Sequence, residues 1–152
     1  MGIEAVKEEF KSKKINLEIL EFDVSSATVE LASKALEVEP GRIAKTMAFR
    51  IKDETILILA KGDMKVDNRK FKDVFSAKAK MLSSEEVLDI TGHPVGGVCP
   101  FGLKSSLKVF LDQSLKVYDF VYPAAGSPNS AVKIGLEELE KITDGTWIDV
   151  CK

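Results

Sequence analysis

Apolar residues recur along this chain in two rhythms, one helical and one alternating. Ile3, Val6 and Phe10 stand at helical spacing among glutamates and lysines, which predicts an amphipathic surface helix ending near Lys14. Residues 17–22 (Leu-Glu-Ile-Leu-Glu-Phe) are short and partly alternating, the pattern of a strand that leads into the turn Asp23-Val24-Ser25-Ser26. Val29, Leu31, Ala32, Ala35 and Leu36 then predict a short helix, capped by Ser26 or Thr28 and broken by Pro40-Gly41. Residues 46–51 and 55–60, separated by Lys52-Asp53-Glu54, predict a hairpin whose second strand is buried on both faces. Helical patterns return at 67–75 and 83–90, the latter opened by Ser83 or Ser84 with Glu85 and Glu86 in its first turn.

The rhythm stops between Gly92 and Gly102. Gly92, Gly96, Gly97, Gly102, Pro94 and Pro100 rule out regular helix and leave a shaped loop. Strand patterns follow at 106–111, 117–122, 131–134 and 146–150, with a helix over 136–142. No period of 20 to 50 residues recurs, so a repeat architecture is not expected. The reading is α+β: a single-domain, mixed and mainly antiparallel curved sheet or partial barrel, flanked by helices.

Composition supports one domain over residues 1–152, because the chain is 45% hydrophobic and 30% charged with no linker-like stretch. Cys99 and Cys151 lie far apart and no signal peptide precedes them, so the expected setting is the reducing cytoplasm. The longest strongly apolar run, Ile56–Ala60, is far shorter than the roughly 20 residues of a membrane span, and no membrane partner is expected. A net charge of -2 argues against coating nucleic acid by bulk charge. Between Lys61 and Lys80, however, seven bases outnumber three acids. That run reads either as a solvated helix face or as a phosphate-facing patch.

Candidate chemistry narrows quickly. His93 is the only histidine and has no partner at metal-ligand spacing, so no metal and no cofactor is expected. Cys99 lies six residues from His93, which admits a thiol nucleophile with its base, although such a cysteine also reads as a small buried hydrophobe. There is no GxSxG elbow, no Walker loop and no GxGxxG after a strand. What remains is the Gly96–Pro100 loop and Lys45. Consecutive glycines let a backbone approach a ligand and turn N–H groups toward a developing oxyanion. Each feature alone is equally a surface turn and a strand-edge lysine.

Taken together, four stretches resemble the YbaK/EbsC family of free-standing aminoacyl-tRNA editing domains, which includes the insertion domain of bacterial prolyl-tRNA synthetases. They are Thr28–Ala32, Ile43–Phe49, Gly92–Gly102 and Tyr122–Ser127, and the third carries the family's GxxxP pattern as Gly96 to Pro100. The resemblance implies a deacylase that hydrolyses the ester of mischarged tRNA, most simply Cys- or Ala-tRNA(Pro), with no metal and no protein nucleophile. It implies a catalytic role for Lys45, Gly96 and Gly97, Lys45 positioning the tRNA end as a point charge and the loop polarising the carbonyl. It implies substrate contacts from Thr28, Val29, Thr46, Val98, Cys99, Pro100 and Ser127. The acceptor end of tRNA becomes the expected partner, with Lys61, Lys65, Arg69 and Lys70 as phosphate contacts and a steep salt dependence of binding, and an aminoacyl-tRNA synthetase is a second partner to consider. YbaK carries an acidic residue where this chain has Ser130–Ile134, so a cysteine preference does not transfer. A methylene is worth only roughly 1 to 3 kcal/mol of discrimination in a small apolar pocket. Cysteinyl, alanyl and other small aminoacyl esters all stay open. The competing reading is a non-catalytic module that binds aminoacyl-tRNA or a synthetase.

Overall fold

A computed structural model describes residues 2–152. Its frame is a four-stranded mixed sheet in the order β2-β3-β4-β8 (Ala44–Ile51, Glu54–Lys61, Lys108–Asp112, Thr146–Ile148). The β2/β3 hairpin is antiparallel and turns on Lys52 and Asp53, with Lys52 at φ 55°, while β3/β4 and β4/β8 are parallel. Two antiparallel pairs stand beside it, β1 (Ile19–Glu21) with β6 (Ser130–Val132) and β5 (Phe120–Val121) with β7 (Ile134–Gly135). The sheets do not close, so the architecture is the expected mixed α+β arrangement without a complete barrel.

β3 explains why the sheet needs cover on both sides. Leu57 and Leu59 belong to one core cluster and Ile56, Ile58 and Ala60 to a second, so its apolar run is buried on both faces as expected. α1 (Ile3–Ser12) inserts Val6 and Phe10 into the first cluster, where Phe10 meets Phe101 edge-on at 5.2 Å. α3 (Asn68–Phe75) covers the second through Phe71, fully buried between Phe49 and Phe75 at 5.1 and 4.7 Å. Burying one such aromatic contributes about 2 to 3 kcal/mol. α5 (Leu136–Thr143) docks through Leu139.

α2 (Val29–Leu36) is capped by Thr28, whose hydroxyl accepts from Leu31 N–H at 3.2 Å. α4 (Ser84–Thr91) opens with a capping box between Ser83 and Glu86 and ends on Gly92 at φ 80°. Two expected strands differ, the one over 131–134 being divided at Lys133 into β6 and β7, which pair with β1 and β5. Over 117–122 only Phe120–Val121 is strand, because the buried Asp112 carboxylate accepts from Ser114 N–H at 2.9 Å and starts a 3-10 turn over Gln113–Val117. Among the described residues no helix is long and apolar enough to cross a membrane.

Candidate active site

A cavity of about 320 Å³ opens between the head of α2, the edge strand β2, the residues before and within α4, the Gly/Pro loop and the β5–β6 segment. That volume lies at the small end of ligand pockets. Its walls are mostly short side chains, among them Ala27, Ala32, Ala44, Ala48, Ala124 and Ala131. Met81 and Val95, both well exposed, form apolar parts of its lining.

Six of the sequence-derived candidates meet here: Thr28, Val29, Lys45, Thr46, Gly96 and Val98. Strand alternation separates the two on β2. Ala44 and Ala48 face the first core cluster with Thr46 between them, whereas Lys45 shares the parity of Met47 and Phe49 on the other face. Lys45 therefore borders the cavity while its ammonium group donates to the Met64 carbonyl. Burial lowers its pKa, partly offset by Cys151 and Asp63, and Lys65 lowers it further.

The remaining candidates stand behind the cavity wall. Gly97 N–H donates to Pro94 O at 2.9 Å and Gly97 O accepts from Gly126 N–H at 3.0 Å, so its amide is already spent within the loop. A Cβ at Gly97 would lie 2.6 Å from Ser127 N, so these two residues pack back to back. Gly97 supports the loop and does not supply the polarising amide expected of it. Ser127 is likewise one step removed: its carbonyl accepts from Ser130 Oγ at 3.1 Å, and Ser130 is the one that lines the cavity. Pro100 is buried outside the lining.

Cys99, expected as a substrate contact, also stands apart from the cavity lining, and the competing thiol reading meets a chemical obstacle. Cys99 is fully buried, and burial pushes its thiol up to about 12. His93 Nε2 lies 2.6 Å from Phe101 O, an acceptor, and must therefore carry its proton. It then has no lone pair at that nitrogen for the thiol 3.6 Å away. A thiolate mechanism is disfavoured twice, and Cys99→Ala is expected to keep deacylation within about threefold of the parent, since the thiol offers only packing. A loss of two orders of magnitude in single-turnover rate would restore Cys99 as a nucleophile.

The four expected phosphate contacts divide in two. Lys61 pairs with Asp63 at 3.1 Å, and Lys70 with Asp149 at 3.1 Å and Cys151 O at 2.9 Å. Lys65 and Arg69 are exposed and carry no ion pair among the described residues. They are the better placed of the four to meet an external phosphate.

The sequence reading missed Ser26 as a site residue. Ser26 Oγ and Thr46 Oγ1 are both buried without a hydrogen-bond partner among the described residues, and both residues line the cavity. A buried hydroxyl left unpaired costs about 1 to 3 kcal/mol, so two at one cavity point to a polar ligand. Sequence offered only that Ser26 precedes a helix, which any capping serine does.

The sequence model of the aminoacyl-tRNA editing domain matches residues 23–142. The Bacillus subtilis protein YwhH, itself uncharacterized, is 47% identical over 154 residues, covering 100% of this chain and 98% of that protein. A proline–tRNA ligase of Bacillus velezensis is 32% identical over 91 residues, 59% of this chain, and the match spans only 16% of the ligase. A crystal structure described as that of a proposed trans-editing enzyme for prolyl-tRNA synthetase superposes with a TM-score of 0.91 at 26% identity, covering 99% of this chain and 96% of that one. The chain belongs to the aminoacyl-tRNA editing domain family.

Proposed function

We propose that this protein is a trans-editing deacylase that hydrolyses the ester of a mischarged tRNA, with Cys- or Ala-tRNA(Pro) as substrate, working in the cytoplasm without a metal or cofactor. The observation that carries the reading is the alanine-walled cavity, bordered by Lys45 and Gly96, with two hydroxyls that are unpaired among the described residues. Short walls suit a small acyl group, and buried hydroxyls suit its polar atoms.

An ester is already activated, so positioning and electrostatic stabilisation suffice where an amide would demand a stronger apparatus. The half-buried ammonium of Lys45 would hold the terminal ribose or its phosphate, and Lys65 and Arg69 would meet the acceptor-stem phosphates. The tRNA(Pro) assignment draws on the prolyl-tRNA synthetase relatives, as does association with a synthetase. Incubating the protein with Ala-tRNA(Pro) and Cys-tRNA(Pro) tests the reading. Release of the amino acid by the wild type supports a deacylase; tight binding with the esters intact would make the protein a binding module instead.

A further inference from the structure

We infer that the carbonyl oxygen of the scissile ester is polarised at the head of α2, by the Ser26 hydroxyl together with the first-turn amide of Val29. The inference rests on the deacylase reading and adds to it the group that stabilises the oxyanion. Ser26 is 6% exposed, lines the cavity and has no partner for its hydroxyl among the described residues. Its backbone is fixed, Ser26 N–H donating to Pro128 O at 2.7 Å while Phe22 N–H donates to Asn129 O at 2.8 Å. These two bonds hold the segment that carries the hydroxyl against residues 128–129.

The second observation comes from the helix that follows. The first N–H groups of an α-helix have no partner inside it. In α2 the Thr28 side chain satisfies Leu31 N–H, which leaves Val29 and Glu30 N–H without partners among the described residues. These two amides sit at the positive end of the helix dipole, and Val29 lines the same cavity as Ser26. The loop closes on this point, since a Cβ at Gly96 would lie 2.8 Å from Ala27 Cβ.

A backbone N–H only donates and a hydroxyl can donate beside it, so Val29 N–H with the Ser26 hydroxyl favours an acceptor oxygen over the substrate's ammonium group. With the Gly97 amide committed to Pro94 O, the loop lacks one of the donors its glycines suggested. The step then balances simply. Water adds through its oxygen to the acyl carbon, and the carbonyl π pair moves onto the oxygen held by Ser26 and α2. Collapse breaks the bond to the ribose oxygen, which leaves with a proton from the attacking water, giving free amino acid and uncharged tRNA.

The test compares wild type with Ser26→Ala in two assays. In single-turnover deacylation, Ser26→Ala is expected to lower the chemical rate by about 100-fold with tRNA affinity unchanged. Thermal stability should hold or rise, because an unpaired buried hydroxyl has been removed. In the binding assay, an adenosine 3′-(1-aminoethyl)phosphonate ester carries a tetrahedral oxyanion that the amide analogue 3′-alanylamido-3′-deoxyadenosine lacks. Ser26→Ala should weaken the phosphonate by a similar factor and leave the amide within about twofold. Equal rates, or equal losses for both analogues, would overturn the inference and leave the deacylase reading intact. A wild type that releases no amino acid from any mischarged tRNA would overturn both.

Discussion

Gly97→Ala is expected to abolish measurable deacylation and to lower Tm by about 3 to 10 °C, although Gly97 does not line the cavity. The added Cβ would meet Ser127 N, Cα and C at 2.6 to 2.7 Å, all backbone atoms that cannot rotate aside. Relief requires Gly97 and Ser127 to part, which strains the Gly126 N–H to Gly97 O bond and the Ser127–Ser130 pair behind the cavity wall. Overpacking of this kind costs about 1 to 3 kcal/mol. The loss of activity should exceed the loss of stability, because Gly96 and Val98 move with their neighbour while the rest of the core stays packed. A melt and a single-turnover rate on the same preparation check it, and parental values of both would show that the loop yields where the geometry says it cannot.

Lys45→Ala is the second large effect, with kcat/KM expected to fall by about 100-fold through misplacement of the tRNA end. The half-buried ammonium also has a pH signature. Burial lowers its pKa below the ordinary lysine value of 10.5, so its charge is lost earlier as pH rises. Binding of a non-hydrolysable aminoacyl-tRNA should therefore weaken on the alkaline side before ordinary lysines titrate, and Lys45→Arg should flatten that limb because a guanidinium stays charged. Unchanged kcat/KM in Lys45→Ala would remove Lys45 from the machinery.

Much of this was legible in the sequence, for identifiable reasons. The uninterrupted apolar run Ile56–Ala60 announces a strand buried on both faces, and a cap at Ser26 or Thr28 announces the start of α2, which Thr28 supplies. The Gly/Pro loop and Lys45 stood out only together, through their likeness to the editing-domain family, since each alone reads as a turn or a strand-edge lysine. What sequence could not separate is direction within short segments. Val98 faces the cavity and its neighbour Cys99 the core, and Thr46 and Lys45 leave β2 on opposite faces. Nor does a serine announce that its hydroxyl lacks a partner: that fact belongs to the packing of 22–26 against 128–129.

The central claim, that this cavity hydrolyses a small aminoacyl ester, is tested most directly by a single-turnover deacylation profile over tRNAs charged with cysteine, alanine, serine, threonine and proline. The account predicts fast release of a small mischarged residue from tRNA(Pro), with Pro-tRNA(Pro) spared and the activity lost in Lys45→Ala. Intact esters across the whole panel, at protein concentrations that saturate tRNA binding, would contradict it.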